Sequence, residues 1–277
     1  MSNKAVDDMP GLPLPLSGQT RLYAILGDPI DQVGSPRLFN TAFRRRDAQA
    51  VLVPLHVAPE GLPAIVAAFR AGKNFDGLVV TVPHKIAIAD LVDDLGAMAR
   101  RVGAVNVIRK GTDGRLLGDN FDGIGFVYGL RQRGYSLSSK RVLIVGAGGA
   151  GCAVSHAVLD ERPAVLQIFD TDNNRLGGLI NGLRAIASDI PVDSGPPDPD
   201  AFDVVVNCTS IGMKPSDPFP IQIDNLDAST LVVDIILKPA VTPLLEEAAR
   251  RGCPTHAGIH MLEGQVEAVC DFFSIAG

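Results

Sequence analysis

The segment Arg141-Val-Leu-Ile-Val-Gly146-Ala147-Gly148-Gly149-Ala150-Gly151 constrains this chain more than any other. Four apolar residues, Val142 to Val145, read as a buried strand that runs into G-x-G-x-x-G, and Cys152 to Leu159 can continue as a helix. Each glycine has a physical task in such a turn: Gly146 permits the tight strand exit, Gly148 lets backbone approach a pyrophosphate, and Gly151 allows close helix–strand packing. The helix start offers unpaired N–H groups and the positive end of a dipole to phosphates. A glycine fingerprint alone is weak, and its context decides. Here a second apolar strand, Val165 to Phe169, ends in Asp170, the acid expected to accept hydrogen bonds from the adenosine ribose hydroxyls. The motif predicts a dinucleotide site made by Gly146, Ala147, Gly148, Gly149, Ala150, Gly151 and Asp170. Asp170 and the neighbouring Asp172 repel a ribose 2′-phosphate, so the expectation is NAD rather than NADP. Arg175, the one nearby cation, reads as an outward, solvated side chain in a helix start.

Strand-like and helix-like segments alternate along the 277 residues, which predicts an α/β fold with largely parallel sheets and, at this length, two domains. Met1 to Thr20, with three prolines, reads as a flexible tail. Residues 21–122 read as a substrate-binding and catalytic α/β domain, 123–260 as a Rossmann domain, and the helix in 261–277 as the closing element, with a cleft expected between the domains. Predicted strands fall at Leu22–Leu26, Val51–Leu55, Gly77–Val82, Asp203–Asn207 and Leu231–Ile236, with a hairpin of Ala104–Arg109 and Leu116–Asn120 around the Gly111–Gly114 turn. Helices are expected at Pro36–Arg46, Leu62–Ala71, Ile124–Arg133, Leu244–Arg251 and Leu262–Phe273.

A net charge of −6 with no basic run argues against nucleic acid as a partner. No apolar run reaches membrane-spanning length, and no secretory signal is visible. The four cysteines are widely spaced and read as reduced, mostly buried thiols of a cytoplasmic protein. His256-x-x-x-His260 has the spacing of two metal ligands, but Gly258 interrupts it and no third ligand is near, so no metal is expected.

Oxidising an alcohol requires the hydroxyl proton to leave as hydride departs. Lys85, just beyond the strand that Pro83 ends, can act as that base, with the carboxylate of Asp122 to orient it. Each also has a plainer reading, a solvated lysine after a strand and a helix N-cap.

The ordered set Gly27-Asp-Pro29, Ser35-Pro36, Thr81-Val-Pro-His-Lys85, Gly103-Ala-Val-Asn106, Gly118-Asp-Asn120-Phe-Asp122-Gly123, the glycine turn, Asn207-Cys-Thr-Ser-Ile-Gly212, Asp234…Thr242-Pro243 and Gly258…Met261-Leu262…Gln265 resembles the shikimate/quinate dehydrogenase family. That resemblance implies an NAD(P)-dependent dehydrogenase of shikimate, quinate or a related cyclic polyol acid, monomeric or homodimeric. By the same resemblance Lys85 and Asp122 form the acid/base pair, Asn106 and Gln265 hold ring hydroxyls, and Ser35 and Thr81 line the substrate site. Asn207, Thr209, Gly258 and Met261 are implied on the dinucleotide, and the C-terminal helix is implied to fold back on the N-terminal domain.

Three positions depart from the family pattern. Val33 stands where a serine is usual, Phe121 replaces the threonine of Asn-Thr-Asp, and Leu237 replaces a tyrosine. The lost serine and tyrosine belong to the end that grips the substrate carboxylate. A hydrogen bond to a charged group contributes ~1.5–3 kcal/mol, so losing two weakens carboxylate binding by ~10²-fold or more. The alternatives are therefore a dehydrogenase of a less polar substrate, or a non-catalytic dinucleotide-binding sensor.

Overall fold

In the computed structural model, which describes residues 16–275, the chain divides into two units, Met1–Asn120 with Val266–Gly277, and Phe121–Gln265. The first unit is built on β1 (Arg21–Gly27), α1 (Ser35–Arg45), β2 (Ala50–His56), α2 (Leu62–Ala71), β3 (Phe75–Val80), β4 (Asp94–Leu95), α3 (Ala97–Val102), β5 (Val107–Lys110) and β6 (Leu116–Asp119). Its six strands lie in the order β2-β1-β3-β5-β6-β4. The β1 pairings with β2 and β3 are parallel, while β5 is antiparallel to both β3 and β6. One face is filled by Leu62, Val66 and Phe69 of α2 against Ala24, Leu26, Leu78 and Val80.

Tyr23 stacks at 5.2 Å on Phe43 and at 4.8 Å on Phe273. Gly77 leaves room for the Phe273 ring, which a β-carbon there would meet at 2.5 Å. Arg46, the C-cap of α1, is a clasp. Its guanidinium donates to Glu267 (2.6 Å), Asp271 (2.9 Å) and the Ile275 carbonyl (2.7 Å), and its side chain is only 13% exposed. Of the expected tail, residues 1–15 lie outside the described residues, and Ser17–Thr20 form a turn rather than a loose segment. Ser17 N–H donates to Thr20 Oγ1 (2.9 Å) and Gln49 Nε2 to Ser17 Oγ (3.1 Å).

The second unit contains α4 (Asp122–Gln132), β7 (Arg141–Val145), α5 (Gly149–Asp160), β8 (Val165–Phe169), α6 (Asn173–Ile186), β9 (Val192–Ser194), β10 (Val204–Asn207), β11 (Leu231–Asp234), α7 (Pro243–Arg250) and β12 (Thr255–Ala257). All its strand pairings are parallel, in the order β12-β11-β10-β7-β8-β9. Read from the other edge this is the doubly wound Rossmann order, with the reversal between β7 and β10. Both faces of the sheet are covered, so its strands are continuous apolar runs. Val142 and Ile144 face one core with α5 and α6, and Leu143 and Val145 face the other with Leu244, Leu245 and Ala248 of α7.

The last helix, α8 (Ile259–Phe272), contributes to both units, the division falling after Gln265. Its early turns lie backbone-close to α4, where β-carbons at Gly125 and Gly129 would overlap the carbonyls of Met261 and His260. Phe121 and Asp122 likewise go with the second unit rather than ending the first, because Asp122 opens α4 and Gly123 packs that helix on Ala153 and Ala157 of α5.

Candidate functional site

The carboxyl end of the first sheet gathers one group of the expected residues. β1 leads into a loop in which Val33 N–H donates to the Ile30 carbonyl (3.2 Å), and Ser35 then opens α1 as a buried residue. Thr81 follows β3 and donates its N–H to Leu26 O (2.9 Å); Gly27 lacks the side chain that would collide with the Thr81 methyl. The turn after β3 is pinned twice. His84 N–H donates to Thr81 O (3.0 Å), and the buried His84 ring bonds the Val57 carbonyl (2.7 Å) as a polar anchor. Lys85 leaves this turn half-buried, and its carbonyl accepts the Val105 N–H (2.8 Å). That bond brings it beside Asn106, which is 2% exposed and whose own carbonyl accepts the Val80 N–H (2.7 Å). Val33, Ser35, Thr81, Lys85 and Asn106 therefore belong to one end of one sheet. Asn120 is structural, its amide donating to Ala104 O (3.1 Å).

The second unit gathers the rest. Aligned residues make the last rung of its sheet, Phe169–Val145–Asn207–Asp234–Ala257. Gly146, Asp170 and Gly258 each lie one residue beyond that rung. Gly146 has φ +107°, which a side chain would strain. A β-carbon at Gly151 would overlap the Gly146 carbonyl, whereas one at Gly148 meets nothing within 4 Å. The turn is thus packed on its protein side and open on its outer side, at the start of α5. This is the shape a pyrophosphate cradle needs, and it fits a dinucleotide.

Asp170 is more occupied than the motif implied. Its Oδ2 accepts Ala147 N–H (2.6 Å) and its Oδ1 accepts Asp172 N–H (2.8 Å), so it also braces the glycine turn. Arg175 is ion-paired rather than free in solvent, 3.8 Å from Asp170 and 3.4 Å from Asp172, because two neighbouring acids attract it. Thr209 donates both N–H (3.0 Å) and hydroxyl (2.7 Å) to Asn207 Oδ1. Asp122 is buried as the first residue of α4, where the helix dipole favours its charge; it is not the N-cap, a position taken by Phe121. Gln265 and Met261 are buried on the α8 face toward Gly125. Leu237 follows β11 half-buried. Burial chiefly, with the nearby Asp234 and Asp122, holds the Cys208 thiol far above its usual pKa, which leaves it an inert strand-end group.

His256 and His260 do not share a helix: the first lies in β12 and the second in α8, their rings 4.8 Å apart. Among the described residues no group of three or more His, Cys, Asp or Glu is placed to hold a metal ion. The His256 ring is 3% exposed, its Nε2 has no partner among the described residues, and burial with the nearby His260 and Arg133 pushes its pKa down to about 4. Its folded value lies below the unfolded value of ~6.5, so the associated stability is present above pH ~6.5 and lost as pH falls toward 4. Replacing His256 with Phe should remove about 2–3 kcal/mol of the stability lost between pH 7 and 4.5, read from urea melts. An unchanged pH slope would reject this assignment.

No described helix is long and apolar enough to cross a membrane. The shikimate dehydrogenase substrate-binding domain family matches residues 25–108. Shikimate dehydrogenase (NADP(+)) of Rhodospirillum rubrum is 37% identical over 254 residues, covering 89% of each chain. The Salinibacter ruber enzyme of the same name is 39% identical over 267 residues, covering 92% of each. A shikimate 5-dehydrogenase from Listeria monocytogenes, solved with shikimate and NAD, superimposes with a TM-score of 0.82 at 28% identity, covering 96% of this chain and 94% of that one.

Proposed function

Since the chain belongs to the shikimate dehydrogenase family, we propose that it interconverts a ring hydroxyl and ketone of shikimate, quinate or a related cyclic polyol, with Lys85 and Asp122 handling the proton. It is an NAD(P)-dependent oxidoreductase, and the bound dinucleotide supplies the hydride acceptor or donor. The observation that carries the reading is the retention of every proton-handling and hydroxyl-holding side chain: Lys85 and Asn106 at the carboxyl end of the first sheet, Asp122 as the first residue of α4, and Gln265 buried within α8. Lys85, as the neutral amine, takes the hydroxyl proton and becomes the ammonium; Asp122 keeps that group oriented, and release of the proton to solvent restores the neutral base. Asn106 and Gln265 hold the ring hydroxyls, Thr81 lines the site beside them, and Ser35 bonds the substrate carboxylate. A sensor would have no use for the proton pair.

Val33, Phe121 and Leu237 set the substrate preference. With two hydroxyl donors gone, carboxylate recognition rests on Ser35, and the preferred substrate is less polar at that end. Among dinucleotides NAD is favoured, because Asp170 and Asp172 follow β8, where the motif puts the adenosine ribose, and a 2′-phosphate there would meet like charge. Arg175 offsets part of that charge, so NADP is disfavoured rather than excluded.

Steady-state oxidation of shikimate, quinate and aminoshikimate with each dinucleotide tests both statements. The expected result is a kcat/KM at least ~10-fold higher with NAD than with NADP, a difference of about 1.4 kcal/mol, and a high KM for shikimate. Efficient NADP-dependent shikimate oxidation would overturn the cofactor and substrate preferences together.

A further inference from the structure

We propose that Asp234 is a positioning residue that sets the nicotinamide end of the dinucleotide groove by tying together the two loops that leave β10 and β11. Asp234 ends β11, is fully buried, and stands in register with Asn207 at the end of β10. Its Oδ2 accepts from Asn207 Nδ2 (3.2 Å) and from Thr242 Oγ1 (2.8 Å), and its Oδ1 accepts the Ile236 N–H (3.0 Å).

Each donor carries the tie further. Asn207 Nδ2 also holds the Ile211 carbonyl (3.0 Å), and Asn207 Oδ1 collects both donors of Thr209, whose Oγ1 accepts Ile211 N–H (3.0 Å). On the other side Thr242 Oγ1 accepts Leu245 N–H (3.3 Å) as the N-cap of α7. Gly258 closes the stack, since a β-carbon there would meet Ile235 O at 2.5 Å and Ile236 O at 2.6 Å. One carboxylate therefore fixes segments 207–211 and 235–242 against each other.

In a doubly wound sheet the adenosine half of a dinucleotide lies over the strands on the glycine-turn side of the reversal, and the nicotinamide half lies over those beyond it. Here the adenosine side is β7 and β8, and the far side is β10 and β11. A carboxylate with three donors and no cation is a costly burial, and the register it enforces falls on the half that must aim the reacting carbon. The inference rests on the dinucleotide reading above, and its test separates the two.

Asp234→Asn is isosteric but turns one acceptor into a donor facing donors. We expect kcat to fall by about 10–100-fold, the scale of a small misplacement of reacting groups. Affinity for ADP-ribose, which lacks the nicotinamide, should stay within about twofold, while the NADH-to-ADP-ribose affinity ratio drops by roughly fivefold or more, ~1 kcal/mol. Thr242→Val should move both readouts in the same direction by less, and Thr242→Ser, which keeps the hydroxyl, should restore them. Equal loss of NADH and ADP-ribose affinity would mark Asp234 as a fold stabiliser only and overturn the proposal, as would an unchanged ratio. If the unmodified protein oxidises no polyol, the functional reading fails, yet the affinity ratio still decides the role of Asp234.

Discussion

Replacing Lys85 with methionine lowers kcat by about 10²–10⁴-fold, the usual contribution of a general base, while NADH affinity stays within about twofold. Methionine keeps the length and apolar stem of the side chain and removes only the group that moves the proton. The turn that presents Lys85 is held by the backbone bond from Val105 and by the buried His84 ring on Val57, neither of which involves the ammonium. The fold should therefore be unaffected, and the loss is chemical. Turnover from single-turnover absorbance at the reduced nicotinamide band, beside a fluorescence titration of NADH, reads the two quantities separately. A variant that retains turnover within about tenfold would remove Lys85 from the mechanism and revive the sensor reading.

Gly151→Val raises the dinucleotide Kd by about 100-fold or more, ~2.8 kcal/mol, and lowers Tm by several degrees. A side chain at 151 would overlap the Gly146 carbonyl and press on Cys208 Cβ at 3.3 Å. Gly146 cannot yield easily, because its φ of +107° and its N–H bond to Phe169 O (2.7 Å) fix the strand exit. Gly148→Ala is the contrasting variant. Its new methyl meets no protein atom within 4 Å, so Tm should hold while Kd still rises, because the methyl stands where the pyrophosphate approaches. Isothermal titration with NAD beside thermal melts distinguishes the pair. If both variants lost stability equally, the assignment of an inner, packed glycine and an outer, ligand-facing glycine would be wrong.

Much of this arrangement is legible in the residues before any coordinates are drawn. The run Val142 to Val145 is apolar at every position because both sheet faces are buried, and the glycine turn that follows, with Asp170 at the end of the next strand, reads as a dinucleotide turn. The hairpin at Gly111–Gly114 and the helix over Leu62–Ala71 follow equally from turn chemistry and periodicity.

What escapes is short or non-local. β9 and β12 have three residues each and β4 has two, too few for any alternation to emerge. The six-residue α3 has no cap of its own. Its Ala99 N–H is taken by Asp119 Oδ1 (2.9 Å), twenty residues downstream, and Gly96 makes space for that carboxylate. Arg46 likewise reads as solvated because its three acceptors lie more than two hundred positions away. Asp234 and Thr242 are visible as motif residues, but nothing local reveals that Thr242 and Asn207 donate to the same oxygen of Asp234. The bracing of the glycine turn by Asp170 is hidden in the same way, since a backbone donor leaves no mark on residue identity.

The Arg46 clasp and the Tyr23–Phe273 stack give the first unit a particular order of assembly. Its aromatic layer is built partly from Phe273, which leaves the ribosome only after all of Phe121–Gln265. At roughly 5–20 residues per second, about seven to thirty seconds separate the emergence of Asn120 from that of Val266. Throughout that interval the newly made first sheet is without Phe273, while the second unit is still being completed, its last strand β12 emerging close to the end. Vectorial synthesis therefore places the sealing of the first unit after the whole of the second has been made.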